Sequence, residues 1–87
     1  MSKEFKPGGF GSTIKITIDE KYVRFSTNGS ITLVPIKHIV ALTLSGVGSG
    51  NSDVVFIGLG TELARARDIG SIWAEKSYEW LSKELNL

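Results

Sequence analysis

The segment L-S-G-V-G-S-G-N-S, residues 44–52, has three glycines at alternate positions and is the first candidate for a functional loop. Glycine-rich loops bind phosphate when their backbone N–H groups approach the anion and a helix begins directly after them. Here the segment lies between two predicted strands, contains no lysine and fits neither the dinucleotide nor the P-loop spacing. We predict a flexible hairpin tip, with an anion-binding nest as the alternative.

Four basic residues are the second candidate. Arg65 and Arg67 lie two residues apart and therefore share a face if this segment is a strand. Lys15 and Arg24 are predicted to face outward on two other strands. Together these residues predict a modest basic patch for a phosphorylated small molecule or an acidic partner. The alternative is ordinary solvated charge, offset by acidic residues nearby in the sequence.

Catalytic and metal chemistry have little support in the sequence. His38 is the only histidine and the chain has no cysteine, so a transition-metal site is not expected. His38 is predicted to lie at a strand end, without a local partner that would make it a catalytic base. No G-x-S-x-G motif occurs. We predict that the protein is not an enzyme and has no cofactor or metal site.

Length and composition set further bounds. The chain has 87 residues and a net charge of +1, which fits one small domain without the basic excess that drives nucleic-acid binding. No apolar run approaches the length of a membrane span. The first residues, M-S-K-E-F-K-P-G-G-F-G, lack the apolar region of a signal peptide. A cytoplasmic protein is therefore expected.

Alternation of apolar and polar residues predicts about six antiparallel strands and one helix. Residues 1–11 are predicted to be a flexible lead-in, and residues 12–87 a single domain. Ile14 and Ile16 should face inward on the first strand and Val23 and Phe25 on the second. Asn28-Gly29 predicts a type I′ hairpin turn. The predicted strands occupy about 12–18, 22–26, 31–35, 36–45, 53–59 and 61–67, with a helix as the alternative for the last.

The C-terminal segment from Ile69 to Leu85 has the spacing of an amphipathic helix, with Asp68 as a plausible N-cap. Its predicted apolar face includes Ile72, Trp73, Trp80 and Leu81.

A protein interface is the third candidate. The segment 36–45 is apolar on both faces, which predicts a central strand or one covered on both sides. Ile39 and Ala41 share one of these faces, and Tyr78 and Trp80 lie near the end of the helix, where partial exposure is expected. We predict an interface that contains these four residues.

The run V-P-I-K-H-I-V-A-L, followed by a glycine-rich hairpin, two more strands and a helix that contains tryptophan, resembles the pleckstrin-homology-like (PH-like) fold. It is most similar to the short bacterial and phage domains of this type. Pro35, Ile36, Ile39 and Leu42 carry the resemblance. It implies an α+β, mainly β fold, in which a small, partly open antiparallel barrel is capped by the helix.

The resemblance also has implications for function. The full fold of the family has seven strands, one more than the sequence predicts here. Family members that bind phosphoinositides carry basic residues around the first hairpin, where this chain has Asp19 and Glu20. Short bacterial members resemble interaction or oligomerisation modules. The resemblance also implies that a tryptophan of the capping helix, Trp73 or Trp80, covers the barrel mouth.

The sequence therefore predicts a non-enzymatic protein-interaction or oligomerisation module whose partner is another protein or another copy of the chain. The first alternative is a binding module, or sponge, for a nucleotide or other phosphorylated small molecule, using Lys15, Arg24, Arg65 and Arg67. A weaker alternative is a nucleic-acid binder of the Sm or OB type. Few strand aromatics and a near-neutral charge make nucleic acid an unfavourable partner.

Overall fold

The structure is a computed structural model that describes residues 2–9 and 13–87. Within these ranges the chain forms seven antiparallel strands and one C-terminal helix, and a 3₁₀ turn at Ile36–His38 joins the fourth strand to the fifth. The strands are β1 (Lys3–Phe5), β2 (Lys15–Ile18), β3 (Tyr22–Thr27), β4 (Ser30–Pro35), β5 (Ala41–Ser45), β6 (Asn51–Gly58) and β7 (Thr61–Gly70), and the helix is α1 (Ser71–Glu84).

The strands form two sheets, ordered β1-β2-β3-β4 and β5-β6-β7. The described residues make no backbone pairing between the two sheets, so they do not close into a barrel. The predicted mainly β, antiparallel architecture with one C-terminal helix is confirmed.

The chain has one strand more than the six predicted. This additional strand is β1, which lies in the segment that was predicted to be a flexible lead-in. Phe5 pairs with Ile16 of β2, and its ring stacks on Trp80 of α1 with centroids 5.1 Å apart and planes 9° from parallel. The Lys3 ammonium donates a hydrogen bond to Glu84 at 2.6 Å. Residues 3–5 therefore differ from the prediction. Residues 10–12, where the lead-in was expected to meet the domain, lie outside the described residues.

The hydrophobic core lies between the two sheets and under the helix. Phe25 from the first sheet meets Phe56 from the second edge-to-face, with ring centroids 6.4 Å apart. The predicted inward-facing residues of the segments that form β2 and β3 are confirmed, because Ile14, Ile16, Val23 and Phe25 are buried. The other buried apolar residues are Val34, Val54, Val55, Phe56, Ala66, Ile69, Ala74 and Leu81.

The β3–β4 hairpin differs in turn type from the prediction. Gly29 has a φ of +92° while Asn28 stays outside the positive-φ region, whereas a type I′ turn needs positive φ at both positions. Positive φ at the second central residue alone is the type II pattern. The two-residue connection pairs Thr27 with Ser30 and thereby sets the register of both strands.

The strand β5 is an edge strand with β6 as its one sheet neighbour, so the prediction of a central strand is wrong. The two faces of β5 are covered differently: Leu42 and Leu44 on one face pack against the core, while Thr43 on the other face is exposed. The glycine-rich segment connects β5 to β6, as predicted, with Gly46, Gly48 and Gly50 at positive φ.

The segment 61–67 is a strand, as predicted, and continues to Gly70. Asp68 lies within β7 at a φ of +54° and is not the N-cap of α1. The helix begins at Ser71, and its N-cap Gly70 provides no side-chain hydrogen bond. The buried face of α1 also differs from the prediction, because Ile72 and Trp73 are exposed. The buried helix residues are Ala74, Ser77 and Leu81.

Candidate functional site

A groove with a volume of about 540 Å³ lies where the two sheets separate. One side is formed by the β3–β4 hairpin, through Thr27, Asn28, Ser30 and Thr32, and the other by residues 65–70 of β7; Ile14 and Trp73 also line it. We call this the edge groove. It exists because β4 lies beside β7 without any ladder between them.

Among the described residues, no strand pairs with the outer edge of β4, which runs along this groove; we call it the free edge. Thr27 and Ser30 flank a two-residue turn and form a hydrogen-bonded pair, and such pairs alternate along an antiparallel ladder. The hydrogen bond from the Ile36 N–H to the Lys21 carbonyl, 2.8 Å long, continues the same alternation. Ile31 and Leu33 therefore turn their N–H and C=O groups away from β3, towards the free edge.

The same two residues carry exposed apolar side chains. Thr32 and Val34 pair with the inward-facing Phe25 and Val23, so Ile31 and Leu33 face outward. Their exposed fractions are 61% and 57%, which is high for large aliphatic residues on a strand. This surface was not predicted from the sequence, although the register set by Asn28-Gly29 contains the signal for it.

An ion-pair network stabilises the β7 side of the groove. The Arg65 guanidinium contacts Oδ2 of Asp53 at 2.9 Å and Oε1 of Glu62 at 2.7 Å. The other Asp53 oxygen, Oδ1, accepts a hydrogen bond from the Asp68 N–H at 3.0 Å. Asp53 thus bridges β6 to the irregular part of β7, where Asp68 has positive φ.

Each member of this network has a shifted pKa. The Asp68 N–H, followed by the Arg65 guanidinium, lowers the pKa of Asp53. Hydrogen bonding to Arg65 lowers the pKa of Glu62, and the two carboxylates raise the pKa of Arg65. Three of the five N–H donors of Arg65 are therefore committed to carboxylates of the same chain.

Arg67 differs from Arg65 although both line the edge groove. Arg67 is exposed, and none of the described carboxylates lies within 4.0 Å of its guanidinium. Its charge acts on Asp53 and Glu62 only as a minor contribution that lowers their pKa values. Arg67 thus presents an uncommitted bidentate donor in the groove.

The four predicted basic residues fall into two separate pairs. Arg65 and Arg67 line the edge groove. Lys15 and Arg24 lie on the outer face of the first sheet, where Lys15 is opposite Ser26 and Arg24 is opposite Leu33. The Lys15 ammonium also lies 3.4 Å from a Glu4 carboxylate oxygen. One ligand in the groove would therefore meet two of the four.

The four predicted interface residues are likewise separated. Ala41 and Tyr78 line a shallow groove of about 200 Å³ between β5 and α1. Ile39 packs against the core, and Trp80 stacks on Phe5. The tertiary structure therefore brings two of the four together.

The described residues contain no group of three or more histidine or carboxylate side chains placed to hold a metal ion. His38 is exposed in the 3₁₀ turn. Among residues 2–9 and 13–87, the helical segments are too short and polar to cross a bilayer.

Comparison with family models, curated proteins and solved structures gives no match.

Proposed function

We propose that this protein is a non-enzymatic protein-interaction module that binds an extended segment of a protein partner, another copy of the chain included, along the free edge of β4. One observation carries the proposal. Ile31 and Leu33 combine backbone groups that pair with no strand among the described residues with side chains that are 61% and 57% exposed, and both features are what an added strand would cover.

The energetics favour an added strand at this edge. Complete burial of an Ile or Leu side chain contributes about 1.5–3 kcal/mol, so covering the exposed part of each contributes on the order of 1–1.5 kcal/mol. Main-chain hydrogen bonds to Ile31 and Leu33 would add to this. Exposed apolar edge strands otherwise promote aggregation, so a functional partner gives this edge a physical rationale.

The proposed PH-like fold is consistent with this function. Seven antiparallel strands followed by one C-terminal helix match the strand count that the resemblance implies. The proposed interaction or oligomerisation role is the one that the resemblance implies for short bacterial members.

The experiment compares the wild type with two β4 variants. Ile31→Pro removes an edge N–H without breaking a β3–β4 hydrogen bond, and edge positions tolerate proline. Leu33→Lys places a charge on the strand that should be covered. Leu59→Lys is the matched control, because Leu59 is 92% exposed in the β6–β7 turn. Light scattering coupled to size exclusion measures self-association over a range of concentrations.

A second measurement covers a partner other than the chain itself. The strand-forming peptide acetyl-Val-Thr-Val-Gln-Val-Thr-Val-amide is titrated into ¹⁵N-labelled protein and the amide shifts are mapped. Concentration-dependent assembly, or peptide shifts centred on residues 30–34, supports the proposal if it is lost in both β4 variants and kept in Leu59→Lys. A monomer without such shifts, or binding that survives both β4 changes, refutes it.

A further inference from the structure

The edge groove also restricts the chemistry of the partner segment, an inference that depends on the proposed function. We infer that the bound segment alternates apolar residues with polar ones and carries a single carboxylate that pairs with Arg67. The apolar residues would lie beside Ile31 and Leu33 on the outer face, and the polar residues would enter the groove.

The alternation follows from the pleat of β4. A strand added in the plane of the sheet places every second side chain on the same face as Ile31 and Leu33. Apolar side chains there would cover the exposed aliphatic surface. The intervening side chains would lie on the same face as Thr32, which lines the groove together with Ser30, Asn28 and Thr27. These four residues supply hydroxyl and amide groups, which suit a polar side chain.

The carboxylate follows from the charges on the opposite side of the groove. Arg65 is held by Asp53 and Glu62, so Arg67 is the guanidinium there without a carboxylate partner among the described residues. A partner carboxylate could accept a bidentate pair of hydrogen bonds from Arg67. This gives the strand a register, because only one of its groove-facing positions lies at Arg67.

The number of carboxylates is limited by the acidic residues close by. Asp53 and Glu62 pair with Arg65, and Asp68 lines the groove next to Arg67, so this side of the groove has three carboxylates to two guanidinium groups. A strongly acidic segment would therefore meet repulsion, while one carboxylate aligned with Arg67 would not. The partner is thus a mainly apolar and neutral strand with one Asp or Glu.

Three peptides test this inference. The first, acetyl-Val-Thr-Val-Glu-Val-Thr-Val-amide, has one carboxylate; the second replaces Glu with Gln; the third has Glu at all three polar positions. Dissociation constants come from ¹⁵N–¹H NMR titrations of the wild type, Arg67→Gln and Lys37→Gln. Lys37 is an exposed cation in the 3₁₀ turn, so its variant is a control for net charge.

We expect the single-Glu peptide to bind the wild type about threefold to fivefold more tightly than the Gln peptide, the range of a solvent-accessible ion pair. The triple-Glu peptide should bind no more tightly than the single-Glu peptide. The Glu preference should disappear in Arg67→Gln, persist in Lys37→Gln and weaken as salt is raised.

The outcomes separate this inference from the proposed function. Equal affinity for the Glu and Gln peptides, or a Glu preference that survives Arg67→Gln, overturns the inference, and so does a failure of all three peptides to bind. If the single-Glu or the Gln peptide binds the wild type and this binding is lost in Ile31→Pro, the result still supports binding at the β4 edge. Binding that survives both Ile31→Pro and Leu33→Lys refutes the proposed function itself.

Discussion

Removal of the Phe5 ring tests whether β1 is a docked strand. Phe5 is half-buried, and its ring stacks on Trp80 at a centroid distance of 5.1 Å. Truncation of a fully buried Phe to Ala costs about 3–5 kcal/mol, so Phe5→Ala should lower the free energy of unfolding by about 2 kcal/mol. The stacked geometry itself accounts for about 0.5–1.5 kcal/mol of this loss. The Lys3–Glu84 ion pair, whose lysine is exposed, stabilises the docking of β1 by at most about 1 kcal/mol more.

Differential scanning calorimetry and urea denaturation measure this loss. A domain of this size has a total stability of about 4–13 kcal/mol, and 1 kcal/mol corresponds to about 4–8 °C in Tm. Phe5→Ala should therefore lower the Tm by about 8–16 °C. Phe5→Leu should lose less, because it keeps apolar contact and removes only the stacked ring. Lys6→Ala, an exposed position just after β1, should leave the Tm within about 3 °C of the wild type.

A small effect of Phe5→Ala on the Tm would contradict the docking of β1. A Tm change below about 2 °C for Phe5→Ala would mean that β1 contributes nothing to the folded state. Residues 1–11 would then behave as the flexible lead-in that the sequence predicts, and the stacking on Trp80 would carry no energy.

Three further predictions concern the edge, the ion-pair network and a tight contact. Amide hydrogen exchange should be far faster at Ile31 than at Thr32, because only the Thr32 N–H points to β3; equal protection would show that the edge is covered. The Asp68 N–H holds the pKa of Asp53 below its usual range, so this carboxylate stabilises the protein above about pH 4 and its contribution is lost as the pH falls through the lowered pKa. The Tm deficit of Asp53→Asn should therefore shrink between about pH 5 and pH 2, and a constant deficit would contradict this. Gly58→Ala should destabilise by more than about 1 kcal/mol, since a Cβ there would lie 2.7 Å from a Leu63 methyl carbon; an unchanged urea midpoint would show that Leu63 moves freely.

The proposed function depends on the difference in burial between the inner and outer residues of β4. Its inner residue Val34 belongs to the core, while its outer residues, Ile31 and Leu33, remain exposed on an edge strand. Monomeric proteins commonly protect such edges with charge, proline or a covering element. Here Pro35 ends the edge at one end only, and Arg24 lies opposite Leu33 on the neighbouring strand.

Strict alternation of apolar residues is enough to predict β2 and β3 and the faces that they bury. Ile14, Ile16, Val23 and Phe25 had to face inward, because period-two alternation leaves one apolar face per strand. The Asn28-Gly29 turn also set the pairing of β3 with β4, and with it the outward direction of Ile31 and Leu33, although this consequence was not part of the sequence prediction. These features depend on neighbours within a few residues.

Other features depend on residues far apart in the chain and therefore become visible in the folded protein alone. One aromatic residue in a charged segment gave no strand pattern, and β1 forms because Phe5 meets Trp80, which lies far along the chain. The segment 36–45 is apolar on both faces, which cannot distinguish a central strand from an edge strand partly covered by a helix. Arg65 and Arg67 are indistinguishable in the sequence. Their roles differ because folding places Asp53, twelve residues away from Arg65, beside one guanidinium and leaves Arg67 without a carboxylate partner among residues 2–9 and 13–87.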